Sequence, residues 1–239
     1  MKTLVKQMSK ILLTFFTIFC LAFIPQIKDN YLSKEDKKEG WTLLFDGKST
    51  KGWHVFKKPG MMNPQWQVKE GMLWLSRSGG GDIVSDLEYT NFELNLEWRI
   101  SPNGNSGIFF NVSEDTSYNA VYQTGPEMQI LDDAGHPDGK IPSHTAGSNY
   151  DLAVPKVKSV KPVGTWNYVR LIVKDSVVTQ YLNGQITAKY KLMSPEWEAQ
   201  VAKSKFKTMP SYGRNGKGHI ALQDHGDEVW FKNIKIKKL

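Results

Sequence analysis

The chain has a single cysteine, Cys20, among 239 residues, and it lies inside an apolar amino-terminal run. Disulfides therefore cannot hold the fold, and once that run is removed there is no thiol nucleophile and no cysteine ligand for a metal. Histidine is sparse, with five residues, and no His-Glu-x-x-His spacing brings two of them together. Gly79-Gly80-Gly81 is not followed by the lysine or helix of a phosphate loop, so it reads as a flexible turn. Long hydrophobic runs are also missing. The one candidate, Ile11 to Ile24, is about 14 residues, short of the roughly 20 that span a bilayer.

Lys2, Lys6 and Lys10 precede that run and Pro25 follows it, the order of a secretory signal. Phe19 before Cys20 is too bulky for the small residue that normally precedes a lipidated cysteine. Residues 1–27 are read as a signal peptide and the start of a linker, with export to the periplasm or cell surface and no stable span in the mature chain. The polar, lysine-rich stretch from 28 to 40 continues the linker. Three of the seven net positive charges belong to the leader lysines. The remaining basic groups, Lys203, Lys205 and Lys207, then Lys232, Lys235, Lys237 and Lys238, carry no recognition motif. They read as solvated faces, and no nucleic-acid partner is expected.

What remains is enough for one substantial core. Short β-like runs separated by Gly and Pro clusters occupy most of it, beginning at Trp41 to Phe45. Asn91 to Ser101 alternates most regularly, with Phe92, Leu94, Leu96, Trp98 and Ile100 on one side and Glu93, Asn95, Glu97, Arg99 and Ser101 on the other. Glu70-Gly71 and Asn183-Gly184 mark hairpins. Trp166 to Lys174, Val177 to Leu182 and Ile186 to Lys191 form a three-stranded meander. Ser194-Pro195-Glu196 caps the one helix, which is expected to end near Phe206. In the last strand Asn233, Lys235 and Lys237 share one parity, and Trp230, Ile234 and Ile236 the other. The class is all-β, two packed sheets with one short helix.

Function concentrates where polar residues share a strand face. In Glu127-Met128-Gln129-Ile130-Leu131, Glu127 and Gln129 present a carboxyl and a carboxamide together while Met128 and Ile130 turn away. Gly104-Asn105-Ser106-Gly107 is a turn entering an apolar strand. His219, Gln223 and His225 share one parity downstream. A loop from Asp132 to Leu152 carries His136, His144 and Tyr150. Together these suggest one sheet face that is a polar groove.

These residues resemble a known family. Trp41-Thr42-Leu43-Leu44-Phe45-Asp46-Gly47 with Gly52-Trp53, then Gly104-Asn105-Ser106-Gly107-Ile108, Glu127 to Asp132, Tyr150-Asp151-Leu152 and His219 to Gly226 are similar to the 3-keto-disaccharide hydrolase domain. The resemblance covers residues 40–239 and implies a concanavalin-like jelly roll acting on carbohydrate. It implies cleavage of 3-keto-glycosides, in which a ketone at C3 acidifies the C2 hydrogen, the C1 oxygen leaves by elimination and water adds back. On that reading Glu127 or His144 is the base. Arg99, Gln129 or a bound cation stabilises the enolate, and His225 is the proton donor. Glu97, Arg99, Asn105, Gln129, Tyr150 and Gln223 are the candidate substrate contacts. A divalent cation is compatible with the His and carboxyl donors present, and its identity is open. An ordinary glycosidase needs two carboxyl groups at a set separation, and here only Glu127, with Glu97 well behind it, presents itself. The alternative from another class is a non-catalytic carbohydrate-binding module.

Overall fold

The computed structural model describes residues 28–239. The leader reading therefore lies outside the described residues. The strands are β1 (Trp41–Leu43), β2 (Trp53–Val55), β3 (Trp66–Lys69), β4 (Met72–Leu75), β5 (Ile83–Tyr89), β6 (Phe92–Ile100), β7 (Asn105–Val112), β8 (Glu127–Leu131), β9 (Asn167–Lys174), β10 (Val177–Leu182), β11 (Gln185–Lys191), β12 (Gly218–Leu222) and β13 (Val229–Lys238). They form two antiparallel sheets, a concanavalin-like jelly roll. The larger runs β11-β10-β9-β6-β13-β4-β3, with β1 also on β13, and the smaller runs β2-β5-β12-β7-β8. The alternation of β6 does as expected: Phe92, Leu94, Leu96, Trp98 and Ile100 all enter the core between the sheets. They meet Ile108 and Phe110 of β7 and Met128 and Ile130 of β8 from the other side. A polar residue at the alternate positions of β7 and β8 is thereby turned away from the core, onto the outer face of the smaller sheet.

Turn chemistry fixes the registers. Asn183 and Gly184 have φ of 50° and 82°, as a two-residue hairpin turn demands, and join β10 to β11. Glu70 and Gly71 do the same between β3 and β4. Several expectations are corrected. The stretch from 28 to 40 is not a free linker. It carries a helix, α1 (Lys34–Lys38), whose cap Ser33 exchanges hydrogen bonds with Asp36. Asp29 and Asn30 bind Lys232 and Asn233 of β13, and Asp36 binds Lys235, so these lysines are paired rather than simply solvated. In β13 the pairing slips between Lys232 and Lys235, where Asn233 takes φ of 55°. This bulge reverses the parity, so Trp230 lies outside, stacked on Trp74 at 4.9 Å, while Phe231 and Ile234 are buried. The second helix, α2 (Pro195–Val201), stops before Phe206, which lies in a separate 3-10 turn, Lys205–Thr208.

The loop after β7 is tied down by a buried histidine. His54 is 4% exposed, with Nδ1 2.7 Å from Asp86 Oδ1 and Nε2 3.0 Å from Glu114 Oε2. Glu114 also accepts the Lys57 N–H at 2.5 Å, and His219 Nε2 stands 3.7 Å away. Burial disfavours the imidazolium, but the bonds to Asp86 and Glu114 outweigh it and hold the His54 pKa above its ordinary 6.5. A raised pKa contributes stability that is complete below 6.5 and fades as pH rises through the folded value. His54→Gln is therefore expected to destabilise the protein by about 1–3 kcal/mol at pH 6, with a smaller deficit at pH 9. Thermal melts at the two pH values check this, and an equal deficit at both contradicts a charged His54.

Candidate active site

On the outer face of the smaller sheet, β7, β8 and the chain leaving β12 enclose a hollow of about 330 Å³. Asn105, Glu127, Gln129, Tyr150, Gln223 and His225 all line it, so six of the nine expected side chains converge. The reason is the period-two alternation of β8 with its register against β7, which sets Gly107 opposite Gln129 and Phe109 opposite Glu127. Gly107 is not a turn residue as expected but lies within β7. A methyl there would overlap the Glu127 carboxyl, so only glycine leaves that carboxyl room to lie across the strand. Ser106 Oγ donates to Gln223 O at 2.8 Å, and Gln223 N donates to Gly107 O at 3.0 Å, locking the residue that follows β12 beside it.

Glu127 is 5% exposed. With its amide nitrogen toward the carboxyl, Gln129 donates to Glu127 Oε1 at 2.9 Å and to Ser106 O at 3.0 Å. Burial pushes the Glu127 pKa up to about 8, against the opposing charge of Lys205 and with the help of Asp82 and Asp138. Burial thus favours the protonated form of this carboxyl, which sequence offered, with His144, as one of two candidates for the base.

Two carboxyl groups in the hollow were missed. Asp82 precedes β5 and Asp224 follows β12, and both line the site. Asp224 is committed to structure, since Oδ2 accepts the Gly81 N–H at 2.9 Å and Oδ1 the Gly226 N–H at 2.9 Å. Asp82 accepts the Asp224 N–H through Oδ1 at 3.0 Å, and its other oxygen is not engaged in that bond. Burial, augmented by the charge of Asp224, pushes Asp82 up to about 6 despite this hydrogen bond. A sequence signal existed, because Asp82 follows the Gly79-Gly80-Gly81 run and Asp224 lies just past a strand, two residues before Gly226, but nothing local related positions 142 residues apart.

Lys205 and Tyr122 also line the hollow. Lys205, read from sequence as part of a solvated group, has its Nζ 4.1 Å from the centre of the Tyr150 ring, and its N–H donates to Asp151 Oδ2 at 2.9 Å. Tyr150 donates its hydroxyl to Asp138 at 3.2 Å. Burial and the charges of Asp138 and Glu127 push its phenol up, so it stays protonated.

Three expected site residues stand elsewhere. His144 does not line the hollow. It stacks on Tyr150 at 4.3 Å with Nε2 3.1 Å from Asp151 Oδ1, which places it behind the tyrosine. Glu97 and Arg99 lie on β6 of the larger sheet. Glu97 accepts from Asn233 at 2.7 Å, and Arg99 is stacked between Trp166 and Trp230 at 5.0 and 4.8 Å. Their strand turns its apolar parity toward the smaller sheet, so its polar parity must face away from the hollow. Trp53 of the shared Gly52-Trp53 motif is buried and donates to Leu44 O.

A larger cavity of about 600 Å³ opens beside Trp98, Leu131 and Pro162. Its carboxyl groups are spent on structure: Asp132 accepts the N–H groups of Asn103, Ala134 and Gly135, and Asp133 that of Ala146. The smaller hollow is therefore the candidate site. Among the described residues no three His, Cys, Asp or Glu side chains are gathered as a metal cage, and no helix is long and apolar enough to cross a membrane.

Comparison with known proteins agrees with this placement of the fold. Residues 40–237 match the family described as the 3-keto-alpha-glucoside-1,2-lyase-like domain. A 3-keto-disaccharide hydrolase of Bacteroides thetaiotaomicron is 33% identical over 230 residues, covering 84% of this chain and 79% of that protein. A crystal structure from Parabacteroides distasonis, provisionally assigned to the glycosyl hydrolases, superposes with a TM-score of 0.83 at 37% identity, over 89% of this chain and all of that one. A second from the same organism, with the same provisional assignment, gives 0.67 at 26% identity, over 83% and 99%.

Proposed function

This chain belongs to the 3-keto-alpha-glucoside-1,2-lyase-like domain family, and from that premise we propose that it cleaves the glycosidic bond of 3-keto-glycosides by elimination and hydration. The observation that carries the proposal is a pair of carboxyl groups in one hollow, Asp82 and Glu127, pushed to about 6 and about 8. Divergent values in one site assign an acid and a base at neutral pH. Asp82 is ionised and takes the C2 proton. The electron pair moves into the C3 ketone to give an enolate. It then returns to form the C1–C2 double bond as the C1–O bond breaks, and Glu127 delivers its proton to the departing oxygen. Glu127, now a carboxylate, draws a proton from water as that water adds at C1, and Asp82 returns its proton to C2. Both groups regain their starting states, and the products are a 3-keto-sugar and the freed alcohol.

Lys205 supplies positive charge for the enolate, with Gln129, Asn105 and Gln223 as amide partners for the sugar hydroxyls and ketone. His225 lines the mouth, available to the sugar hydroxyls. The apolar run behind Lys2, Lys6 and Lys10 is consistent with export of the chain to a compartment where free glycosides are met.

The same pair favours a second reading. Sequence alone offered one good carboxyl group, whereas Asp82 and Glu127 together supply the two that an ordinary glycosidase uses. Substrate choice separates the two. The expected result is release of free sugar from a 3-keto-disaccharide and none from the same disaccharide unoxidised. Cleavage of both at similar rates favours the ordinary hydrolase, and binding of either without cleavage favours a carbohydrate-binding module.

A further inference from the structure

Tyr122 stands at the mouth of the hollow with 42% of its surface exposed, although it is one of the residues that line it. The backbone on both sides is held firmly. Val121, its neighbour, is fully buried in a small cluster with Val84, Phe109, Val112 and Ala221 beneath the loop. Gln123 folds back so that its side-chain oxygen accepts the N–H groups of Ala120, at 3.0 Å, and Asn119. Thr124 is fully buried and accepts the Ser113 N–H at 3.0 Å, while its carbonyl accepts the Gly213 N–H at 2.9 Å. Gly125 N closes the turn on Val121 O at 2.9 Å. A large ring is thus held in the open by an anchored turn, at the edge of a site rather than over the core.

The hollow is at the small end of ligand sites, which run from about 300 to 1,000 Å³. A sugar ring engaged by Asp82 and Glu127 on the floor leaves a second ring to project past the mouth. There the tyrosine offers a flat, amphipathic face, the surface that suits the C–H face of a pyranose.

We propose that Tyr122 forms a subsite for the departing sugar ring, so that the protein prefers glycosides whose leaving group is itself a pyranose over those that release a small alcohol. This rests on the reading of the hollow as the 3-keto-glycoside site. The test compares Glu127→Gln with Glu127→Gln/Tyr122→Ala and Glu127→Gln/Tyr122→Phe, titrating each with a 3-keto-disaccharide and with methyl 3-keto-glucoside. The alanine change is expected to weaken disaccharide binding roughly two- to tenfold and leave the methyl glycoside unchanged, with phenylalanine restoring the difference. Equal weakening for both ligands, no weakening for either, or no binding of either overturns the subsite.

Turnover is read separately with the Glu127 side chain intact, where Tyr122→Ala is expected to raise KM for the disaccharide and leave kcat for the methyl glycoside unchanged. If wild-type protein turns over no keto-sugar, the catalytic reading fails; the binding difference still decides the subsite.

Discussion

Replacing Glu127 by glutamine is expected to lower kcat on a 3-keto-disaccharide by roughly 10²–10⁴-fold, the usual worth of a positioned proton donor. Glutamine keeps the shape and the partnership with Gln129, so ligand binding should survive the change. The loss should shrink on a 3-keto-glucoside whose leaving group is an acidic phenol, because such an oxygen departs without a proton. A base at this position would give no such recovery, and undiminished turnover removes Glu127 from the chemistry. Stability moves the other way. The folded pKa of about 8 lies above the ordinary 4.5, so stability is complete below 4.5 and is lost as pH rises toward 8. Glutamine does not ionise. Its variant should therefore gain on wild type by on the order of 1 kcal/mol per pH unit within that window. Melting curves between pH 5 and pH 8 measure it, and parallel curves would count against a buried, protonated acid.

Asp82→Asn is the complementary loss, again roughly 10²–10⁴-fold in kcat, and here an acidic leaving group should bring no recovery. The wild-type profile of kcat/KM should be bell-shaped, rising as Asp82 ionises near pH 6 and falling as Glu127 gives up its proton near pH 8. Asn at 82 should abolish the rising limb and Gln at 127 the falling one. Retention of the acid limb in Asp82→Asn would assign the base elsewhere, with His225 the next group lining the hollow. Because the two carboxyl groups influence one another, the limbs report the pair and not either residue alone.

Much of the architecture could be read along the chain. Alternation in β6, the Asn183-Gly184 and Glu70-Gly71 turns, and the Ser194-Pro195 helix start are local signals, and the structure places each as expected. Where the local pattern misled, a tertiary event intervened. The bulge at Asn233 reversed the parity of the last strand, and Asp29, Asn30 and Asp36 bound β13 where composition suggested a linker. Arg99 has the right chemistry for an anion and the wrong sheet, because parity reports which face a side chain takes and not which sheet its strand joins.

Sequence by itself determined the two-sheet class and the placing of Glu127 with Gln129 on one strand face. Only the tertiary structure decided that Asp82 and Lys205 join them and that His144 stands behind Tyr150. It also decided that burial holds the Glu127 carboxyl well above the ordinary carboxylate range. Proton affinity depends on burial and on charges brought from distant parts of the chain, and no local pattern of residues contains that distance.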